Sequence, residues 1–297
     1  MCVGNSIVLK HASIVSGSSK KIEEIFDTPL FRTVIVKGSS ALDLIKYSDG
    51  VSFTGSTDVG RQIYMESAKH IKKVVLELGG SDPFIVLKSA DLKAAAHNAA
   101  IGRLQNNGQS CIASKRFIVH EDIYNDFRNE LGEAFNKIKM GNQLEPETYL
   151  GPVSSDSQSE ILRKQIGQLK SIGKITSYGK EDGNLMPPTI ADLSASYNEE
   201  VFGPIALLRK FKNPEEAINI ANEIEFGLGA SIWGEPDEAS SYIGQIESGM
   251  VFVNKIVASD PRLPFGGIKR SGVGRELSRY GMIEFTNKKT VWIQNQK

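Results

Sequence analysis

The sequence contains two cysteines, and one of them lies where a thiol could do chemistry. Cys111 follows Asn106, Asn107 and Gly108, a polar turn at the end of a predicted helix. Such a turn predicts a thiol beside a cleft that solvent can reach, where a thiolate serves as a nucleophile. By residue type alone a cysteine is more often an inert core residue, so that alternative stays open. Cys2 has no comparable context, and we interpret it as structural or incidental.

A carboxylate occupies the end of a predicted strand. Glu77 follows the apolar run Val74-Val75-Leu76 and precedes two glycines. Ligands of parallel sheets bind beyond the carboxyl ends of the strands, which makes Glu77 a candidate general base. The alternative is a surface glutamate that only ends a strand.

The turn at Gly55 and Ser56 joins a predicted strand to a predicted helix and could bind a phosphate group. Ser56 or Thr57 can cap the helix, and Gly55 lets a ligand approach the backbone. The free amides and partial positive charge of a helix N-terminus suit an anion. An ordinary capped turn has the same pattern, because the two-glycine dinucleotide fingerprint is missing, so both interpretations stay open.

Two loops complete the set of candidate segments. The first runs from Glu199 to Pro204 before an apolar strand, and the second, from Leu263 to Gly272, is rich in glycine. Alone, each predicts only an ordered loop or flap. The four histidines show no metal-ligand spacing, so no metal site is expected.

Secondary-structure elements must position these segments, and the sequence predicts that strands and helices alternate along the chain. This order is typical of an α/β fold with parallel strands joined by right-handed crossovers. The predicted strands are 6–9, 33–36, 51–53, 74–76, 83–87, 117–119, 206–208, 230–233, 251–253 and 290–293. The predicted helices are 20–26, 41–47, 59–70, 92–105, 124–139, 214–223 and 238–246. The strand at 290–293 follows the last helix and is available to pair with another subunit.

The length and composition of the chain argue against several classes of protein. The chain has 297 residues, 35 basic and 35 acidic, and 40% hydrophobic residues. This composition predicts a globular protein of about two domains rather than a disordered chain. Zero net charge argues against nucleic-acid binding, and no apolar run of about 18 residues predicts a membrane span. Two cysteines and a start without signal-peptide features favour the cytoplasm.

Together, the five segments resemble the aldehyde dehydrogenase superfamily in order and spacing, from Asn5 to Trp292. The stretches from Asn107 to Cys111 and from Ala258 to Gly267 are similar to the succinate-semialdehyde dehydrogenase branch. The resemblance implies an α/β protein with a truncated parallel-sheet coenzyme domain at 1–79 and an α/β catalytic domain at 80–270. A C-terminal segment at 271–297 would carry an oligomerisation strand that makes the chain a homo-oligomer.

The resemblance also implies roles for individual residues. Cys111 would attack the aldehyde to give a thiohemiacetal, hydride would pass to the nicotinamide, and Glu77 would activate the water that hydrolyses the thioester. The implied coenzyme-binding residues are Lys10, Ser13, Gly55, Ser56, Gly60, Leu78, Glu200 and Phe202. The implied substrate-binding residues are Ser259, Arg262 and Phe265.

Within this resemblance, the sequence also indicates which coenzyme and which aldehyde the chain uses. Ser13 stands where NAD-specific relatives often carry a glutamate that repels the extra phosphate of NADP. We therefore expect NADP to be accepted, alongside NAD. Arg262 and Ser259 could anchor the carboxylate of succinate semialdehyde by a charge-assisted hydrogen bond. The alternative is that Arg262 only braces its loop.

The sequence departs from the family at its start. Full members carry a longer N-terminal portion with a Trp-Asn-Phe-Pro segment, whose asparagine donates to the oxyanion, and this sequence contains none. Loss of one such donor costs about 10²–10³ in rate, with the Cys111 amide remaining as the other donor. One alternative is a weakly active or inactive remnant that binds coenzyme or a partner chain. Another is an enzyme that releases the thioester to phosphate or coenzyme A, against which Glu77 argues.

Overall fold

The computed structural model describes residues 1–295 of the chain. The strands are β1 (Ile7–Leu9), β2 (Phe31–Thr33), β3 (Gly50–Thr54), β4 (Lys73–Glu77), β5 (Asp82–Val86), β6 (Ser114–His120), β7 (Gly173–Ser177), β8 (Thr189–Leu193), β9 (Ile205–Phe211), β10 (Phe226–Gly227), β11 (Gly229–Trp233), β12 (Met250–Val253), β13 (Ile268–Lys269) and β14 (Gly272–Val273). The α-helices are α1 (Ser16–Phe26), α2 (Gly38–Ala41), α3 (Thr57–Lys69), α4 (Leu92–Leu104), α5 (Tyr124–Asn136), α6 (Asp156–Leu169), α7 (Pro214–Asn222), α8 (Pro236–Ser241) and α9 (Ser278–Glu284).

The chain divides into two compact units. The first unit contains residues 1–76 and 260–265 and the described residues from 273 onward, and the second contains 77–259 and 266–272. The sequence predicted boundaries near 79 and 270 and a separate C-terminal segment. In the structure the described residues 273–295 cluster with the first unit instead.

The second unit is built on a seven-stranded sheet with the order β12-β11-β5-β6-β9-β8-β7. Its strands pair in parallel, except that β7 pairs antiparallel with β8. All five residues of the interior strand β5 are buried. A parallel strand covered on both faces is expected to read as a continuous apolar run, as Pro83-Phe84-Ile85-Val86 does.

Helices cover both faces of this sheet. Phe84 and Val86 of β5 pack with residues of α4 and α5, whereas Ile85 and the following Leu87 pack with residues of α7 and α8. The separation follows from the alternation of side chains along a strand. Phe84 is fully buried, and its truncation to alanine would cost about 3–5 kcal/mol of stability. A third cluster lies beneath α6, where Leu162 and Leu169 contact Leu207 of β9 and its neighbours.

The first unit has smaller sheets. β1 pairs in parallel with β2, with Ile7 opposite Phe31, and β3, β4 and β14 form a three-stranded sheet in the order β14-β4-β3. Helix α3 is amphipathic and buries Ile63 and Ser67 on one side. These elements place the turns after β1 and β3, where the sequence predicted coenzyme contacts.

Some predicted elements are absent or displaced. The segment 290–293 forms no strand in this chain, and Val291, Trp292 and Ile293 are 71%, 86% and 83% exposed. A strand needs a neighbour for its backbone hydrogen bonds, and no described residue of the chain supplies one here. Pairing with a second copy stays a prediction. The strand predicted at 33–36 lies instead at Phe31–Thr33, and α6, β7 and β8 were not predicted.

Candidate active site

The turn before Cys111 consists of three consecutive residues in the left-handed backbone region. Asn106, Asn107 and Gly108 have φ angles of 52°, 57° and 72°, just after α4. Asparagine and glycine adopt this region at the lowest cost. A Cβ on Gly108 would also lie 2.4 Å from the carbonyl oxygen of Gly203. The polar turn predicted from the sequence is therefore confirmed.

Two amide side chains fasten this turn to the loop that precedes α6. Asn107 Oδ1 accepts from Gly151 N at 3.1 Å, and Asn107 Nδ2 donates to Pro152 O at 2.9 Å. Gln109 Oε1 accepts from Ser154 N at 2.9 Å. The segment that leads to Cys111 is thus fixed by hydrogen bonds from its own side chains.

The Cys111 thiol is half-buried. Burial raises its pKa to about 11, and the Lys115 ammonium opposes this rise. Because the thiolate is the nucleophilic form, its fraction in the free protein increases with pH up to that value. The thiol is thus partly accessible and has a cation nearby, but its raised pKa leaves only a small fraction as thiolate at neutral pH in the free protein.

The two glycines after Glu77 pass directly against the Cys111 turn. Glu77 ends β4 and is 2% exposed. A Cβ on Gly80 would lie 2.6 Å from the carbonyl oxygen of Cys111, and a Cβ on Gly79 would lie 2.5 Å from Glu200 Oε2. A Cβ on Gly80 would meet backbone, which cannot move aside, whereas a Cβ on Gly79 would displace the end of the Glu200 side chain. The glycines therefore let the end of β4, the Cys111 turn and the Glu200 carboxylate approach one another.

The Glu200 carboxylate is held from two sides. Its Oε1 accepts from Gly80 N at 3.1 Å and lies 3.3 Å from Lys115 Nζ, while the side chain stays 21% exposed. Helix α6 holds the backbone of this segment, because Gln165 Nε2 donates to Glu200 O and Gln158 Nε2 donates to Phe202 O, both at 2.9 Å. A fixed, partly exposed carboxylate of this kind can accept hydrogen bonds from ligand hydroxyl groups.

Three buried charged residues surround this arrangement. Lys115 and Arg103 are fully buried, and Asp82 is 1% exposed. Burial raises the pKa of Asp82 to about 7 and lowers the pKa values of Lys115 and Arg103. Lys115 Nζ donates to the carbonyl oxygens of Ser110 and Cys111, both at 2.8 Å. Charges are retained in an interior when partners of this kind compensate for the lost hydration.

The first unit contains the residues that were predicted to bind the adenosine and phosphate parts of the coenzyme. Ser56 caps α3 by accepting from Val59 N at 3.5 Å, which confirms the predicted cap. Gly55 precedes the cap, and Gly60 is buried in the first turn of the helix. Lys10 follows β1 directly and is half-buried, and Ser13 is exposed at the start of a 3₁₀ turn.

The predicted substrate residues have different surroundings. Arg262 Nε and Nη2 donate to Asp260 at 2.9 and 2.6 Å, and the arginine side chain is 85% exposed. This pair is what the loop-bracing alternative requires. Phe265 is buried and exchanges backbone hydrogen bonds with Glu276. Ser259 is exposed in the second unit.

The described part of the chain has neither a grouped metal-ligand set nor a membrane-spanning helix. In residues 1–295, no three His, Cys, Asp or Glu side chains are grouped so that they could hold a metal ion. No helix in the same range is long and apolar enough to cross a membrane. Both cysteines are free thiols.

The comparison with known families decides the assignment. The model of the aldehyde dehydrogenase family matches residues 1–291. The chain belongs to the aldehyde dehydrogenase family. The predicted family and the predicted α/β fold class are thereby confirmed.

Relatives within this family carry related names. The chain is 44% identical over 310 aligned residues to a probable succinate-semialdehyde dehydrogenase [NADP(+)] of Synechocystis, and 42% identical to succinate-semialdehyde dehydrogenase [NADP(+)] 1 of Mycobacterium tuberculosis. Each match covers 99% of this chain and 68% of the relative. The crystal structure of a succinic semialdehyde dehydrogenase from Streptococcus pyogenes with NADP⁺ superposes with a TM-score of 0.95, at 36% identity, over 99% of this chain and 68% of that one.

The sequence proposed Cys111, Glu77 and Glu200 as candidates, but the buried charged residues near Cys111 and Glu200 were not predicted. Lys115 and Asp82 lie in strands that we predicted to start later, at 117 and 83, so neither charge was recognised as buried. Helix α6 had a detectable signal, since Ser155 caps a stretch with Leu162, Ile166 and Leu169 at helical spacing. The Arg103 contact with the carbonyl of Gly108, at 2.6 Å, had no signal in the sequence.

Proposed function

We propose that this chain is an NADP-dependent aldehyde dehydrogenase that oxidises succinate semialdehyde to succinate. The observation that supports this most strongly is the close packing, on the segment that follows Glu77, of Gly80 against the Cys111 carbonyl and of Gly79 against the Glu200 carboxylate. A nucleophilic thiol, a buried carboxylate and a fixed carboxylate acceptor are the groups this reaction needs. The relatives at 42–44% identity that carry this enzyme name supply the substrate and the coenzyme of the proposal.

Cys111 is the nucleophile in this proposal. Its thiolate adds to the carbonyl carbon of the aldehyde, a carbon–sulfur bond forms, and the carbonyl oxygen becomes an alkoxide. The backbone N–H of Cys111 is the donor we assign to that alkoxide. Since the pKa of the thiol is about 11, the nearby cation Lys115 favours the attack by stabilising the thiolate.

The residues of each unit fit part of a dinucleotide coenzyme. In the second unit the fixed Glu200 carboxylate would accept hydrogen bonds from the nicotinamide ribose. Phe202 on the same segment and Leu78, which precedes Gly79, are the other proposed contacts of the coenzyme in this unit. In the first unit the free amides at the N-terminus of α3, after Gly55 and Ser56, would bind a phosphate, and Lys10 and Ser13 would hold the adenosine ribose. The chemistry that a bound coenzyme would supply is a hydride acceptor for the carbon that carries the alkoxide.

Glu77 is the base that releases the product. The oxidised carbon is then held to Cys111 as a thioester. The Glu77 carboxylate takes a proton from a water molecule, the water oxygen bonds to the acyl carbon, and the carbon–sulfur bond breaks to return the thiolate. This step argues for hydrolysis rather than transfer to phosphate or coenzyme A, which would need no such base.

Two finer features of the proposal come from the sequence. Ser13 carries no negative charge, so nothing at this position repels the 2′-phosphate of NADP. Arg262, with Ser259 and Phe265, is the proposed site for the far carboxylate and chain of the substrate. Because Arg262 pairs with Asp260 here, the substrate carboxylate would have to share or replace that partner.

A turnover assay tests the proposal directly. The purified chain is mixed with succinate semialdehyde and NADP, and the formation of NADPH is followed by absorbance, with a Cys111→Ala variant as the control. We expect NADPH from the parent chain and none from the variant. Binding of NADP by the parent without turnover would favour a remnant that only binds coenzyme, and would contradict the proposal.

A further inference from the structure

One buried ammonium group contacts both functional segments of the second unit. Lys115 lies on β6 and is fully buried. Its Nζ is 2.8 Å from the carbonyl oxygen of Ser110, 2.8 Å from that of Cys111 and 3.3 Å from Glu200 Oε1. An ammonium has three N–H donors, so these three oxygens use its full capacity.

The two carbonyl contacts fix the amides that face the reacting atoms. In a planar trans peptide the N–H points away from the C=O of the same peptide unit. The carbonyl of Ser110 shares its peptide plane with the N–H of Cys111, the donor assigned to the alkoxide. The carbonyl of Cys111 shares its plane with the N–H of Ile112, which lowers the pKa of the thiol. Lys115 therefore holds both N–H groups in their orientation.

We propose that Lys115 is a positioning residue. Its ammonium links the peptide groups of the Cys111 turn to the Glu200 carboxylate, so that one side chain fixes both the nucleophile and the carboxylate that contacts the coenzyme. The inference rests on the proposed function for the role of Glu200. It predicts that loss of the ammonium changes both the reactivity of Cys111 and the binding of coenzyme, although Lys115 touches neither the aldehyde nor the coenzyme.

The charges around this position come from four elements. Lys115 stands on β6, Asp82 on β5, Arg103 on α4, and Glu200 on the segment before β9. For the Cys111 thiol, Lys115 lowers the pKa, whereas Asp82 and Glu200 raise it. Lys115 is thus the cation that opposes the effects of burial and of the two carboxylates.

The next residue offers a matched control. Arg116 is also a buried cation on β6, but it donates to the carbonyl oxygens of Ser81, Ile220 and Ala221 instead. Neighbouring residues of a strand point to opposite faces. Replacement of Arg116 by methionine therefore removes a buried charge of similar size without removing the contacts to Ser110, Cys111 and Glu200.

The first test measures the thiol. In a Cys2→Ser background, the rate of alkylation of Cys111 by iodoacetamide is recorded against pH for the parent, Lys115→Met and Arg116→Met. We expect Lys115→Met to shift the profile to higher pH by about one unit, which lowers the rate at a fixed pH below the pKa about tenfold. Arg116→Met should lower the stability but leave the profile in place. If Lys115→Met does not fold, Lys115→Gln, which keeps two N–H donors but no charge, should still shift the profile to higher pH because the cation is lost.

The second test measures the link to Glu200. The Kd of NADP is determined for the parent, Lys115→Met, Glu200→Gln and the double variant. If Lys115 acts through Glu200, its replacement weakens binding about tenfold in the parent and has little effect once Glu200 is already replaced. Equal losses in both backgrounds, or an unchanged alkylation profile in folded Lys115→Met, would overturn the inference.

These readouts separate the inference from the proposed function. Alkylation and coenzyme binding need no turnover, so both can be measured even if the chain forms no NADPH. Absence of turnover with the expected shifts contradicts the proposed function alone. Turnover with an unshifted alkylation profile contradicts the role of Lys115 alone.

Discussion

Gly80 lies against Cys111 so closely that a Cβ at position 80 would come within 2.6 Å of the Cys111 carbonyl oxygen. The obstacle is backbone, which cannot rotate away as a side chain could. The same residue donates its N–H to Glu200 Oε1 at 3.1 Å. One glycine thus sets the distance between the residues after Glu77 and the nucleophile turn.

Replacement of Gly80 by alanine should therefore separate these groups. We expect kcat to fall about 100-fold, because small misplacements of catalytic groups have effects of this size. The control is Gly167→Ala in α6, where a Cβ would meet no atom within 4 Å. That variant should gain about 0.5–1 kcal/mol in helix stability and keep its activity. Equal activity of the two variants would show that the close approach at Gly80 has no catalytic role.

The buried Asp82 predicts a dependence of stability on pH. Its pKa is raised by burial from 3.8 to about 7, so the folded state favours the neutral carboxyl group. A raised pKa contributes stability that is fully present below the unfolded value and is lost as the pH rises through the folded value. The free energy of unfolding should thus lose about 2–4 kcal/mol from this group between pH 4 and pH 7.

Urea unfolding of Asp82→Asn at several pH values measures this contribution. The variant should lack the decrease, so its stability relative to the parent should increase with pH. An exposed aspartate serves as the control, and Asp49→Asn should follow the parent at each pH. A constant difference between Asp82→Asn and the parent from pH 4 to pH 7 would contradict a raised pKa at this site.

Ser13→Glu should change the choice of coenzyme. A carboxylate within about 4 Å of the 2′-phosphate of NADP costs about 1–4 kcal/mol near a surface, which corresponds to at least fivefold in affinity. The ratio of kcat/KM for NADP to that for NAD should fall by this factor or more. Ser18→Glu on the exposed part of α1 adds the same charge and should leave the ratio unchanged. A similar fall in both variants would mean that Ser13 does not face the phosphate.

Arg262→Met tests the anchoring of the substrate carboxylate. Loss of this charge-assisted hydrogen bond should raise KM for succinate semialdehyde about tenfold. Butyraldehyde has no carboxylate, and its KM should hardly change. Because Arg262 pairs with Asp260, Asp260→Asn should lower KM for succinate semialdehyde by freeing the guanidinium. Equal changes with both aldehydes would support the bracing alternative.

The sequence predicted those parts of the molecule that depend on local patterns. The left-handed Asn106-Asn107-Gly108 turn, the Ser56 cap and the apolar strand β5 each follow from a few adjacent residues. The contact between Lys115 and Glu200 joins residues far apart in the chain, and no short-range pattern encodes it. Residues 290–293 form no strand in the structure of the single chain, and their pairing with a second copy stays a prediction, because a strand needs a neighbour for its backbone hydrogen bonds.

The most direct test of the proposed mechanism is to detect the acyl-enzyme, which is the thioester between the acyl group of the substrate and Cys111. Glu77→Gln keeps the shape of the side chain but removes the base, and loss of a general base slows its step about 10²–10⁴-fold. The exposed Glu133→Gln on α5 is the matched control. Each variant is mixed with NADP and succinate semialdehyde, quenched, and examined by mass spectrometry after digestion. We predict a succinyl thioester on Cys111 in Glu77→Gln and little in Glu133→Gln, whereas NADP binding without any acyl group on Cys111 would contradict the account.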